Sequence, residues 1–253
     1  MRALHIVSWN VHWGVARVPD VPRSSRFDPL ATLGDDILRA ADVVVFPESW
    51  RPHEGPSFLD RLAEFGFTTV AETRYCTLEH GPRKRIITEP GDGWWELAIA
   101  TRLPVVARTE LPLARTLSDA VPTRRAISLR VVVDDTEVDV TAFHVSSKLW
   151  WAAPVVQLRS LAAALHATDR DGTNRPAVIA GDANLWRSWL PVVLPGWRHG
   201  VRGRTFPSWR PHSQIDHVLV RGAAAFESGH VLDYSPTSDH RAIRATVRLA
   251  STP

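Results

Sequence analysis

AVIAGDAN, residues 177–184, passes from four apolar residues straight into a glycine, a carboxylate and an amide. A short apolar run bounded by turn residues suits a strand buried on both faces. A carboxylate at the end of such a strand is costly to desolvate unless it is paired or bound to a cation. The same ending recurs along the chain. The run Leu4–Trp9 ends in Asn10, Asp42–Phe46 ends in Pro47-Glu48, and Val138–Phe143 ends in His144. Asp216 lies at the start of the run Ile215–Val220, and Ser238-Asp239-His240 precede Ala242–Leu249. If these strand ends converge, they form one rigid polar cluster of Asn, Glu, Asp and His.

The rest of the chain fits strands with few helices. Ala126–Val133 alternates, Asp134-Asp135 supplies a turn, and Val138, Val140 and Ala142 alternate again, so a hairpin is expected. Three helices are expected. Asp28-Pro29 supplies a cap and first turn for a stripe of Leu30, Leu33, Ile37 and Ala41. Pro56–Phe65 stops at Gly66, and Val155–Ala167 carries helical spacing. Arg74–Trp94 and Arg198–Ser213 have no periodicity and carry Gly, Pro and Arg, so both read as loops. Many strands with scattered helices suggest two packed sheets with helices outside.

The chain has 253 residues, 44% apolar and 23% charged, with no repeat, low-complexity tract or evident linker. That suits a soluble globular protein with a sizeable core, read as a single domain over 1–253. No run approaches the length of a membrane span, so no membrane insertion is expected. The start MRALHIVSWN lacks a secretory pattern. Cys76 is the only cysteine, which excludes an internal disulfide framework and a Cys-rich zinc site. A cytoplasmic, monomeric protein is the expectation. The net charge of +3 is too small to establish a nucleic-acid partner. Lys84 and Lys148 are the only lysines. The arginine bias fits a GC-rich genome, and it also fits phosphate recognition by planar guanidinium forks.

Glu48 and Asp239 offer hard oxygen ligands, and Asn10 offers a third. Oxygen-rich sites without thiolates favour Mg2+ or Mn2+ over zinc. Asp182 can orient a water or take its proton, and Asn184 can hold that water in line. His240 beside an acid such as Asp216 can stay protonated and face negative charge on phosphorus. The cluster reads as a device for adding water to a phosphate ester. Each residue also has a structural use taken singly: Asn10 as a turn cap, Asp182 in an Asx turn, His144 as a hydrogen-bonded core histidine. The ordered set carries the functional reading.

That set resembles the endonuclease/exonuclease/phosphatase superfamily, the DNase I-like fold. The matching stretches are SWN (8–10), PE (47–48), AIATRLPV (98–105), FH (143–144), GDAN (181–184), QIDHVLV (214–220) and SDHRAI (238–243). The resemblance implies a four-layer α-β-β-α sandwich of two mainly antiparallel or mixed sheets, hydrolysing phosphoesters with one or two divalent ions. It implies metal-side roles for Asn10, Glu48 and Asp239. It implies catalytic roles for Asp182, Asn184, His240 with its partner Asp216, and His144 near the leaving oxygen. Glu96 resembles the glutamate that supports that histidine in DNase I, so a Glu96–His144 pair with a raised imidazole pKa is expected; the alternative is that Glu96 simply caps a strand beside Trp95. His12 departs from the metal-facing Asp of DNA-repair members, and the disulfide cysteines of secreted DNases are missing.

Arg198, Arg202, Arg204, Arg210, His212, Arg124 and Arg125 are available for non-scissile phosphates or for solvation. Arg124 and Arg204 are taken as substrate-binding together with Trp186. Trp13, Trp50, Trp186 and Trp209 lie close to motif residues and suit either stacking at a rim or walling of a pocket. The Trp150-Trp151 pair offers an apolar lip. The expected substrate is DNA or RNA, cleaved by a phosphodiesterase. The alternatives are a small phosphoester (inositol phosphate, nucleotide or phospholipid head group) and a non-catalytic phosphate-binding module.

Overall fold

The computed structural model describes residues 3–22, 25–77, 93–116, 124–147, 152–168, 175–232 and 237–250. The strands are β1 (Ala3–Ser8), β2 (Val43–Pro52), β3 (Thr69–Thr77), β4 (Gly93–Thr101), β5 (Val105–Pro112) and β6 (Arg125–Val133). They continue as β7 (Thr136–His144), β8 (Ala177–Asp182), β9 (Arg198–His199), β10 (Asp216–Arg221), β11 (Ala224–Val231) and β12 (Ile243–Leu249). The α-helices are α1 (Pro29–Leu33), α2 (Asp35–Ala40), α3 (Ala152–Thr168) and α4 (Leu190–Val193). Two six-stranded sheets result, ordered β11-β12-β1-β2-β4-β3 and β5-β6-β7-β8-β10-β9. Each is mixed: β1–β2 and β7–β8 are parallel, and the other neighbours are antiparallel.

Alternation along the strands builds three apolar layers. Leu4, Ile6, Val43, Val45, Leu97 and Ile99 of the first sheet share one core with Ile127, Leu129, Val140, Val178 and Val218 of the second. The opposite faces are covered from outside. Val7, Val44 and Phe46 pack with Leu30, Leu38 and Leu62, while Phe143 and Ile179 pack with Leu158, Leu161 and Leu190. This is the expected four-layer sandwich. Burying each such side chain contributes about 1.5–3 kcal/mol.

The expected long first helix is broken in two at Gly34, whose φ of +84° leaves the helical region. Asp28 does cap its start, accepting from Leu30 N. The expected Pro56–Phe65 helix is a 3-10 helix over Phe58–Phe65, with a Ser57/Asp60 capping box and a left-handed Gly66. The ends of the expected Arg74–Trp94 loop belong to β3 and β4, and residues 78–92 lie outside the described residues. So do residues 148–151, which hold the Trp150-Trp151 pair. No helix among the described residues is long and apolar enough to cross a membrane.

Candidate active site

Strand register brings the polar strand ends together. His144 and Asp182 are partners at the ends of the parallel pair β7–β8, and Asp182 is also opposite Asp216 across β8–β10. Ser8 pairs with Ile243, which places Asn10 and the Ser238–His240 turn at the same rim of the other sheet. Two bonds tie that turn down: Ser238 Oγ donates to Asn10 O at 2.7 Å, and Trp9 Nε1 donates to His240 O at 2.9 Å.

Gly181 is dictated by close approach. A Cβ there would lie 1.8 Å from the Phe143 carbonyl oxygen, at φ +153°. Only glycine lets β7 and β8 stay paired beside His144 and Asp182. Glu48 (φ +57°) sits in a bulge of β2 between Phe46 and Ser49, and Asn184 (φ +44°) and His12 (φ +43°) are also left-handed. Such non-glycine conformations cost about 1–3 kcal/mol each, and the packed rim holds them.

Asp182 is the centre. Its Oδ1 accepts from Asn184 N at 2.8 Å, and its Oδ2 accepts from Asn10 Nδ2 at 3.1 Å. His144 Nε2 and His240 Nε2 each lie 3.8 Å from that Oδ2. Burial raises the Asp182 pKa to about 7, against the pull of His240. Burial alone would discharge His240, but Asp216, Asp182 and Asp239 outweigh it and hold the imidazole well above its usual range. The closest of these contacts joins His240 Nδ1 to Asp216 Oδ2 at 2.9 Å.

Glu48 Oε2 and Asp239 Oδ1 are buried oxygens with no hydrogen-bond donor. Burial first, then the charge of Asp239, raises Glu48 to about 8. Two buried acids close enough for one charge to act on the other, each with an orphaned oxygen, are what a hard divalent cation would satisfy. Asp182, Asp216 and His240 also bring ligand atoms within 4.8 Å of one another. In that trio the His240–Asp216 bond at 2.9 Å already engages Nδ1 and one carboxylate, whereas Glu48 Oε2 and Asp239 Oδ1 have no hydrogen-bond partner among the described residues.

Asn10 Nδ2 donates to Asp182 and its Oδ1 accepts from His12 N at 3.0 Å, which leaves that oxygen a second lone pair for the cation expected beside it. Several expected positions are revised. Glu96 does not pair with His144. It is fully buried and accepts from Arg74 Nε at 3.1 Å, with Arg51 Nε 3.9 Å away. Glu48, 3.5 Å from Nε2, takes that place, because the bulge turns it inward while Glu96 pairs with Ser49. The His144 pKa is lowered, not raised: burial, Arg124 and His240 all hold it well below the usual range. Arg124 is buried against His144, whereas Arg204 is exposed. Trp186 and Trp209 are exposed at 61% and 40%, but Trp13 and Trp50 are core residues. Arg17, 3.7 Å from Asp239 and 3.3 Å from His12 Nε2, belongs to the rim and has no signature in the sequence.

The Endonuclease/Exonuclease/phosphatase family model matches residues 7–240. The chain belongs to the endonuclease/exonuclease/phosphatase family. Solved structures share the family fold. An endonuclease/exonuclease/phosphatase from Beutenbergia cavernae is 24% identical with a TM-score of 0.74, and the match covers 100% of this chain and 73% of that one. A mannosyl-6-phosphatase of Bacteroides thetaiotaomicron is 18% identical with a TM-score of 0.70, covering 97% and 100%. Danio rerio TDP2 complexed with a single-strand DNA product is 16% identical with a TM-score of 0.62, covering 97% and 99%. No curated protein matches the chain in sequence. These likenesses show the fold, and the identities are too low to carry a substrate across.

Proposed function

We propose that the chain is a divalent-metal-dependent phosphodiesterase, with DNA or RNA as the substrate class. One observation carries this reading: Asp182 Oδ2 lies 3.8 Å from Nε2 of both His144 and His240, at a rim that also holds Glu48, 3.5 Å from His144 Nε2, and the orphaned buried oxygens of Glu48 and Asp239. A Mg2+ or Mn2+ ion held by Glu48 and Asp239 would neutralise charge on a phosphoryl oxygen. Asp182, with a pKa of about 7, takes the proton of the attacking water at its carboxylate. Asn10 and Asn184 fix that carboxylate through its two oxygens. The His240 imidazolium, kept charged by Asp216, donates to the oxygens that gain charge as the water oxygen bonds to phosphorus and the ester bond breaks.

The exposed Trp186, Trp209 and Arg204 suit a polymeric substrate, with rings to stack and a guanidinium for a distal phosphate. The single-strand DNA bound by the TDP2 relative agrees with this. The mannosyl-6-phosphatase relative supports a second reading, in which the same rim takes a small phosphomonoester. Incubation of the protein with plasmid DNA, RNA, single-stranded oligonucleotides and sugar, inositol and nucleotide phosphates separates the two, run with Mg2+, with Mn2+ and with chelator. The expected result is metal-dependent cleavage of a polynucleotide that is lost in Asp182→Asn. Turnover of phosphomonoesters alone selects the second reading, and turnover that survives Asp182→Asn overturns the site assignment.

A further inference from the structure

Arg124 immediately precedes β6 and is 6% exposed. Its guanidinium carbon lies 5.3 Å from the Tyr75 ring centre and 5.1 Å from that of Trp95. The same two rings contact His144, at 6.1 and 5.8 Å between centres. Guanidinium and imidazole therefore share one aromatic pair, the guanidinium over the two ring faces and the imidazole tilted or edge-on to them. Arg124 Nη1 is 3.3 Å from His144 Nδ1 and 3.4 Å from the His144 carbonyl oxygen.

A guanidinium has only N–H donors and does not lose its proton in proteins. The atom facing it must accept, so His144 Nδ1 carries a lone pair. The single ring proton of a neutral imidazole then sits on Nε2. Nε2 has acceptors ahead of it: Glu48 Oε1 at 3.5 Å and Asp182 Oδ2 at 3.8 Å. The two histidines of the rim thus have partners of opposite sign on Nδ1, Asp216 for His240 and Arg124 for His144.

We infer that Arg124 is a positioning residue that fixes His144 as the neutral Nε2–H tautomer, so that His144 donates a hydrogen bond into the site while His240 supplies the positive charge. This replaces the phosphate grip expected of Arg124. It also removes His144 Nε2 from the possible cation ligands, because a protonated nitrogen has no lone pair to offer. The consequence for turnover rests on the phosphoesterase reading; the tautomer itself does not.

The test is 15N NMR of the histidine-labelled full chain near pH 7, with and without Mg2+. His144 is identified by the resonances lost in His144→Gln. The expected spectrum shows an unprotonated Nδ1 and a protonated Nε2, unchanged by Mg2+. Arg124→Met should give averaged shifts from mixed tautomers, and Arg124→Lys, which keeps a donor, should restore the Nε2–H form. A protonated Nδ1 in the unaltered protein overturns the inference even if Arg124→Met does not fold. A full Nε2–H signature in a folded Arg124→Met overturns it too.

On bis(p-nitrophenyl) phosphate with Mg2+, Arg124→Met should lower kcat about 10²-fold with KM within about threefold. A raised KM at unchanged kcat would return Arg124 to phosphate binding. If the unaltered protein turns over no phosphoester but shows the Nε2–H tautomer, the functional reading fails and the assignment of Arg124 stands.

Discussion

His240 Nδ1 faces both oxygens of Asp216, at 3.1 and 2.9 Å, and this contact joins the two sheets at their polar rim beside the Asn10–Asp182 bond. Asp216 opens β10 of one sheet, and His240 stands just before β12 of the other. The charge on the imidazole is thus a product of tertiary packing. In Asp216→Asn the imidazole loses the largest influence that raises its pKa. Activity that needs the protonated ring is present below its pKa, so the alkaline limb of the pH–rate profile should move to lower pH. The rate at neutral pH should fall about 10²-fold or more. An unmoved alkaline limb would show that another group carries the charge.

Cation binding should release a proton. Glu48 is raised to about 8 without a cation, so at pH 7 an incoming ion displaces the proton it holds. Apparent affinity for Mg2+ or Mn2+ should rise with pH up to about 8 and then level off. Calorimetric titrations in buffers of different ionisation enthalpy measure the proton count. Glu48→Gln should weaken binding at least about tenfold and abolish the proton release.

Glu96, although it accepts from Arg74, gives a stability prediction of the opposite sign to that of an acid whose pKa is lowered. Burial, and then Glu72, raise its pKa to about 8 from an ordinary value of 4.5. Between those values the folded chain holds a proton that the unfolded chain has lost, so this group lowers stability as pH rises from about 4.5 to 8. Glu96→Gln has no proton to lose. It should raise the urea midpoint at pH 9 relative to pH 5, by on the order of 1–3 kcal/mol in differential stability. An equal effect at the two pH values would place the ionised form in the fold.

Gly181→Ala should cost about 3 kcal/mol or more, because its methyl would meet backbone rather than a side chain that can turn aside. Thermal melts of the variant and of Gly196→Ala make the comparison. Nothing lies within 4 Å of the Cβ position at Gly196, so its cost comes from backbone conformation alone.

Trp186 tests the substrate class. It is 61% exposed and follows Asn184 by two residues. Trp186→Ala should leave the melting temperature unchanged. It should weaken single-stranded DNA cleavage through KM by about 1–3 kcal/mol, the loss of one stacked base. A small phosphoester should be turned over as before. Equal losses on both substrates would place Trp186 in the chemistry and not in polymer binding.

The strands and the rim were legible to different degrees. Every central strand carries a buried apolar run or a clean alternation, as in Val43–Phe46 and Ala177–Ala180, and the sequence marks all of them as strands except β4. The edge strands β3, β5, β9 and β11 left little trace. An edge strand has weak burial to pattern it: Val105–Pro112 is mostly exposed, and Arg198–His199 is only two residues long.

By itself the sequence determined the polar residues that end the buried strands, and through them the family and the four-layer architecture. A carboxylate or imidazole beside an apolar run is a local signal, and local signals survive without coordinates. Only the tertiary structure decided the partners: Arg124 and not Glu96 on His144 Nδ1, Glu48 and not Glu96 beside Nε2, Asn10 on Asp182. Those choices follow from a β2 bulge, from register and from two aromatic rings that meet across the sheets. Proton positions are set by such long-range contacts, because desolvation and charge act through space rather than along the chain.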